Sequence, residues 1–152
     1  MERVMLRGYR RVERVRFIDF KKEDILFLDF SDSTAEEGTE IINEATGVLK
    51  GGPESSLLLL VNVANAEMDS RLAEELELFL IRNRHCIRKQ AIVGIGEPQE
   101  AAYIAIARLL KSDLASSDNM EDVRKGFPRF NDVEEAKDWL VSDQLYLAIS
   151  FS

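Results

Sequence analysis

Apolar runs and amphipathic stretches alternate along this chain, and their spacing predicts the order of its elements. Two β-strands open the pattern, at residues 13–20 and 24–30, and only a short turn separates them. Strands so close in sequence pair in the antiparallel direction. Residues 56–63 (SLLLLVNV) and 90–95 (QAIVGI) are apolar at consecutive positions. This pattern is typical of strands that are buried on both faces of a sheet.

Two of the predicted helices begin with a capping pair. Ser33 and Glu36 have the spacing of a capping box, and the helix that follows them ends before Gly51. Asn131 and Glu134 have the same spacing and open the last predicted helix. In both helices the apolar positions recur every three or four residues, so that each helix has one face for the core.

The second and third helices occupy the middle of the chain. The second follows a turn at residues 65–69, and its predicted end carries a cluster of cations that would complement the helix dipole, Arg82, Arg84, His85, Arg88 and Lys89. The third covers residues 99–111 and is apolar nearly all round, which indicates a helix between the sheet and a neighbour. A short edge strand is predicted at residues 127–130. Apolar and other side chains alternate at residues 145–151, which indicates a further strand.

The order ββαβαβαβα indicates one α/β domain over residues 1–152. Because crossovers between parallel strands are right-handed, we expect a mixed sheet with parallel central strands, an opening antiparallel strand pair and helices packed on the sheet. We predict a basic arm at residues 1–12 and an additional strand at residues 145–152, which would pair either with this sheet or across a dimer. An edge strand of this kind offers pairing to a second copy, so we predict a homodimer.

Composition and charge exclude several classes of protein. The chain has 152 residues, 45% hydrophobic and 32% charged, which fits a globular domain and excludes a disordered or collagen-like one. No apolar run approaches the roughly 18 residues of a membrane span, and no signal-peptide pattern is present, so we predict a cytoplasmic protein. Residues 1–22 carry a net charge of +5 and the remaining residues −13. So acidic a body disfavours a nucleic-acid partner.

Side chains able to perform catalysis or bind a metal are few and dispersed. Cys86 is the only cysteine, which excludes an internal disulfide. We expect Cys86 to be a small buried apolar residue, although nearby cations would favour its thiolate form. His85 is the only histidine, and its helical neighbour would point about 100° away from it. The acidic residues Asp29 and Asp32, and those within residues 113–122, lack the spacing of a calcium loop. We predict no metal and no cofactor, and an enzyme using carboxylates stays an open alternative.

Four segments carry a resemblance to a known family: residues 57–63 (LLLLVNV), the helix after Met68-Asp69-Ser70, residues 89–95 (KQAIVGI) and above all residues 130–140 (FNDVEEAKDWL). Together they resemble the SpoIIAA-like family of STAS domains (sulfate transporter and anti-sigma-factor antagonist). The resemblance covers residues 13–141 and implies a SpoIIAA-like fold with a regulatory role. It also implies a likeness to small CRAL-TRIO lipid-binding folds.

The resemblance also points to one modification site. In STAS regulators, a serine directly after an aspartate, at the start of the helix that follows the central strand, is phosphorylated to break a partner interface. The corresponding residues here are Asp69 and Ser70. The next three residues, Arg71 to Ala73, depart from the small residue, glycine and leucine of those regulators. A phosphate at a helix start meets exposed amides, and the simpler alternative is that Ser70 is an N-cap hydroxyl.

Two functions follow as hypotheses. The first is a non-enzymatic regulatory or protein-interaction module that binds its partner through loops after the central strands, at Asn62, Asn65, Asp69, Ser70, Gly94, Gly96 and Glu97. The turn at residues 94–98 lacks the third glycine of a dinucleotide-binding fingerprint. The second is a carrier of a small apolar ligand or lipid, with a pocket lined by Phe79, Tyr103, Ile104 and Ile106.

Overall fold

A five-stranded mixed sheet lies at the centre of the structure, a computed structural model that describes residues 13–50, 56–112 and 127–142. The strands, in chain order and in order across the sheet, are β1 (Val15–Phe20), β2 (Glu23–Asp29), β3 (Leu57–Asn62), β4 (Ile87–Val93) and β5 (Arg129–Phe130). The β1–β2 pair is antiparallel and the other three pairs are parallel. The predicted mixed sheet, with its parallel central strands and opening antiparallel pair, is confirmed.

The helices divide unequally between the two faces of the sheet. In the described residues they are α1 (Ala35–Leu49), α2 (Ser70–Arg82), α3 (Glu97–Ser112) and α4 (Val133–Val141). The first three connect successive parallel strands and pack into one core cluster. Because crossovers are right-handed and each strand is added on the same side of the previous one, the three helices must lie on the same face of the sheet. Helix α4 follows β5 and packs into the cluster on the opposite face. None of these helices is long and apolar enough to cross a membrane.

Strand β3 carries the core on both of its faces. Leu59 and Val61 pack with α1, α2 and α3, whereas Leu58 and Leu60 pack with α4. All four side chains are at most 1% exposed. Burying one such side chain contributes about 1.5–3 kcal/mol, so the four consecutive apolar residues together contribute about 6–12 kcal/mol. The prediction that this run is buried on both faces is confirmed.

Helix α1 begins one residue later than the sequence predicts. The Ser33 hydroxyl is buried and donates to the Phe30 carbonyl at 2.6 Å, so it closes the turn after β2 and is not available as a cap. Thr34 caps the helix: its Oγ1 accepts from the Glu37 amide at 3.1 Å, and its own amide donates to Glu37 Oε1 at 2.9 Å. The capping box is therefore Thr34 with Glu37, and the predicted pairing of Ser33 with Glu36 is wrong.

The start of α4 and the end of α2 need similar corrections. Asp132, one residue after the predicted Asn131, caps α4 by accepting from the Glu134 amide at 3.3 Å. Helix α2 ends at Arg82, and the predicted cations beyond it lie in a 3-10 turn at Arg84–Cys86 and in β4. These cations do not extend α2 because the chain already turns there into the sheet.

Lys89, one of those cations, contacts the end of a different helix. Its ammonium lies 4.1 Å from the centre of the Trp139 ring and donates to the carbonyls of Trp139 and Ser142, the latter at 2.9 Å. A cation beside the final carbonyls of α4 complements that helix dipole. The basic arm at residues 1–12, the acidic positions within residues 113–122 and the predicted strand at residues 145–151 lie outside the described residues.

Two glycines provide a matched test of the packing at the end of β4. Gly94 has a φ of +88°, and a Cβ there would lie 2.6 Å from the Ala64 amide nitrogen. Gly47 lies on the exposed side of α1, where a Cβ would meet nothing within 4 Å.

We expect Gly94→Ala to lower the free energy of unfolding by about 2–4 kcal/mol, because it combines a strained backbone with a clash against main-chain atoms. Gly47→Ala should raise that free energy by about 0.5–1 kcal/mol, since alanine costs less backbone entropy in a helix. Urea unfolding of both variants and the parent chain measures the difference. Equal stability of the two variants would contradict the close approach of the β3 and β4 loops.

Candidate functional site: the carboxyl edge of the sheet

The loops that follow β2, β3 and β4 meet at the carboxyl edge of the sheet, where the sequence predicts the partner surface. The Asp32 amide donates to the Ala64 carbonyl at 2.9 Å, which ties the β2 loop to the β3 loop. The Val63 amide donates to the Val93 carbonyl at 2.9 Å, which ties the β3 loop to the end of β4. The structure therefore brings the predicted loops together as one continuous surface.

The β2 and β3 loops share one turn geometry. Asp29 and Asn62 each end their strand, and each side chain accepts a hydrogen bond at 3.0 Å from the amide two residues further on. Three residues after each of them, Asp32 and Asn65 have φ angles of +55° and +58°. Asp and Asn favour both arrangements, because their short polar side chains bond to nearby backbone and tolerate the left-handed region. Asn62 and Asn65 therefore shape the loop.

Gln99 joins the β3 loop to the start of α3. Its side chain is 3% exposed; Oε1 accepts from the Gly96 amide at 2.8 Å and Nε2 donates to the Ala66 carbonyl at 2.9 Å. Gly96 precedes the first helical residue, Glu97, so Gln99 completes half of a capping box. The sequence predicts that this helix begins at residue 99, whereas α3 begins at Glu97 and Gln99 is its third residue. A glutamine three positions after a glycine at a helix start is a usable signal for that earlier start.

Arg14 has a role at this edge that the sequence did not indicate. Its Nη1 donates to the carbonyls of Asp29 and Ser31, at 2.9 and 2.8 Å. The guanidinium therefore holds the β2 loop from the side of β1 and supplies a positive charge to an edge that also carries the exposed carboxylates of Asp32 and Glu67. Hydrogen bonds from a charged donor are stronger than neutral ones, so the loop is held firmly.

Ser70 lies at the start of α2 on the outer side of this surface. The helix is capped by Asp69, whose Oδ1 accepts from the Leu72 amide at 2.8 Å. Ser70 is the first helical residue and is exposed, and among the described residues its hydroxyl makes no hydrogen bond. The alternative that Ser70 is the N-cap is therefore wrong, because Asp69 occupies that position.

The four residues predicted to line an apolar pocket belong to α2 and α3 and lie in or against the core. Phe79, Tyr103 and Ile106 are buried, and Ile104 is half-buried against them. The Tyr103 hydroxyl donates to the Phe127 carbonyl at 2.8 Å, and the two ring centroids are 5.9 Å apart. These contacts give all four residues a packing role, and a ligand pocket around them stays a prediction.

An ion pair covers the outer side of this aromatic cluster. The Arg129 guanidinium donates to both carboxylate oxygens of Glu100, at 2.8 and 3.0 Å, and lies 5.1 Å from the centre of the Tyr103 ring. The hydrogen bonds to Glu100 raise the pKa of Arg129, with its burial as an opposing influence. The pair fixes β5 to α3 and closes the sheet on that side.

In the part of the chain that the structure describes, the single histidine and the single cysteine lie away from this edge. His85 is exposed in the 3-10 turn, and the adjacent Cys86 is buried, with its Sγ donating to the Asn83 carbonyl at 3.1 Å. Burial raises the pKa of the Cys86 thiol, which opposes the thiolate that the neighbouring cations were expected to favour. Within the described ranges, no three histidine, cysteine or acidic side chains come together to hold a metal ion. The edge presents exposed polar and charged side chains, among them Asp32, Glu67 and Ser70.

The structure is therefore an α/β domain with parallel central strands, and the loops at the carboxyl ends of these strands are joined by hydrogen bonds. No family model, curated protein or solved structure matches the chain. The likeness to the SpoIIAA-like family therefore rests on four sequence segments alone.

The roles of Asp69 and Ser70 can be separated by stability. We expect Asp69→Ala to lower the free energy of unfolding by about 1 kcal/mol, because it removes the acceptor for the Leu72 amide. Ser70→Ala should change it by less than about 0.5 kcal/mol, as for other surface substitutions. Thermal or urea unfolding of both variants measures this, and a larger loss for Ser70→Ala would place the cap at Ser70 instead.

Cys86 should react slowly in the folded protein. Because burial raises its pKa, the thiolate fraction at any pH below about 9 is smaller than in the unfolded chain, and the profile of alkylation rate against pH shifts upward. The same shift means that stability is full below the pKa of the unfolded thiol and falls as pH rises through the folded pKa. Iodoacetamide labelling with and without urea measures the rates. Equal rates at pH 7 would contradict the buried position.

Proposed function

We propose that this chain is a regulatory protein-interaction module of STAS type, and that its partner binds the carboxyl edge of the sheet around Ser70. The observation that carries the proposal is the position of Ser70. Its hydroxyl is exposed in the first turn of α2, directly after the capping residue Asp69, and stands beside the tied loops of β2 and β3. This is the place that the family resemblance assigns to the regulated serine.

The tied loops support binding because they form a surface that is ordered before a partner arrives. Hydrogen bonds join the β2 loop to the β3 loop at two further places, from the Glu67 amide to the Ser33 carbonyl and from the Ala35 amide to Glu67 Oε1. A preordered surface loses less conformational entropy on association than a mobile one. The module can therefore bind through shape and charge without a deep pocket.

A phosphate on Ser70 would change the electrostatics of this surface. It adds a charge of about −1.5 to −2 beside the carboxylate of Asp69, and within an interface its bulk and its hydration oppose docking. The dipole of α2 stabilises the modified state of the free protein. Arg71 is also exposed, although its guanidinium is already 3.3 Å from Glu75. Phosphorylation would then favour the unbound module, as the STAS resemblance implies.

The experiment compares partner capture by the parent chain and by Ser70→Ala, Ser70→Asp and Asn43→Asp. Asn43 is exposed on α1, so its replacement adds the same charge away from the carboxyl edge. We expect Ser70→Ala and Asn43→Asp to recover the same protein as the parent from native-host extract, and Ser70→Asp to recover at least about tenfold less, equivalent to about 1.4 kcal/mol of binding.

Two controls accompany this comparison. Circular dichroism should show that all four proteins are equally folded. Phosphopeptide mass spectrometry of the protein isolated from its host should find phosphate on Ser70. Equal recovery by Ser70→Ala and Ser70→Asp would refute the regulated interface, even if a partner is captured.

A further inference from the structure

A cavity of about 250 Å³ lies at the opposite, amino edge of the parallel strands. Its apolar walls come from β1, the end of α1, β3 and the 3-10 turn: Phe17, Val48, Leu49, Leu57 and Cys86. Among the described residues, two polar ones line it, Asp24 and Ser56, and both are exposed. The cavity is separate from the Ser70 surface, so its role does not depend on the function proposed above.

Exposed apolar side chains concentrate at this cavity. Within the described residues, three large apolar side chains are exposed, and two of them, Phe17 and Val48 at 53% and 44%, line it. The third, Leu78 at 43%, lies on α2 outside it. Apolar surface left open beside a concavity is a common feature of ligand-binding sites.

The volume limits what can bind there. An apolar cavity of about 150 Å³ is large enough for benzene, whereas pockets for drug-sized ligands begin at about 300 Å³. The cavity therefore suits one aromatic ring, or a branched aliphatic group, with a short chain attached.

Two carboxylates determine the preferred charge of that ligand. Asp19 and Asp24 are directly opposite each other in the antiparallel β1–β2 pair, where like charges are unfavourable. Asp19 is on the same face of β1 as Phe17, because side chains two residues apart share a face. Among the described residues neither carboxylate has a hydrogen-bond or ion-pair partner, and no basic residue lines the cavity. A cation beside Asp24 would relieve this repulsion.

We propose that the cavity binds a small amphiphilic cation, an aryl-alkyl or branched alkyl ammonium. The apolar group occupies the space between Phe17, Val48 and Leu57, and the ammonium lies against Asp24. The ligand binds reversibly through apolar burial and charge.

A series of three probes tests the ligand class. Protonated 2-phenylethylamine, neutral 2-phenylethanol and anionic 3-phenylpropionate share a ring and a short chain and differ mainly in charge. Titration followed by methyl NMR shifts should give saturable binding in the order cation, neutral, anion, with the cation favoured over the neutral probe by about two- to fivefold, as for an exposed charge pair. Asp24→Asn should remove this preference and keep binding of the neutral probe.

Two matched substitutions test the location. Val48→Phe fills the cavity and should weaken both the cationic and the neutral probe at least about tenfold. Leu78→Phe makes the same kind of change on another exposed helix position and should leave both affinities unchanged. Circular dichroism checks that each variant is folded. If Val48→Phe does not fold, the loss of the preference for the cation in Asp24→Asn still tests the site.

Three results would overturn the proposal: no saturable binding of any probe, equal affinity of the parent chain for the amine and the alcohol, or unchanged binding to folded Val48→Phe. None of these bears on the capture experiment with the Ser70 variants, so the two proposals fail separately.

Discussion

The burial of β3 on both faces is the constraint on which the rest of this structure depends. Its residues Leu58 to Val61 are almost completely excluded from water, so helices must cover the sheet from above and below. Helices α1, α2 and α3 cover one face because they are the crossovers between parallel strands, and only α4 covers the other. The parallel direction of β2, β3 and β4 follows from those crossovers.

Parallel strands give the molecule two unlike edges. At the carboxyl edge, the loops after β2 and β3 are joined by main-chain hydrogen bonds, and Gln99 ties the β3 loop to α3. At the amino edge, the end of α1 meets β1 and β3 around an apolar cavity. The first edge is a surface of hydrogen-bonded loops, and the second is a concavity of the size of a small molecule.

Most of the polar loop residues at the carboxyl edge satisfy the protein's own backbone. Asn62 bonds to the amide of its own turn, Asn65 takes a left-handed conformation and Gly94 allows the β3 loop to pass at close range. For this reason, fewer of the polar loop residues are free to contact another molecule than the sequence alone suggests. The residues that remain directed outward, such as Ser70 and Glu97, are the ones available to a partner.

The sequence by itself determined the elements, because their signals are local: consecutive apolar residues for β3, a helical period for α2, and polar or glycine-containing breaks between them. It located the candidate edge for the same reason, since the carboxyl ends of parallel strands converge. Only the tertiary structure decided which partners each polar side chain finds. Ser33 closes a buried turn, so the helix cap moves to Thr34, and Lys89 reaches the end of a helix 50 residues further along the chain. The amino-edge cavity likewise combines side chains from five elements, and no local pattern contains that information because it arises from packing between segments far apart in sequence.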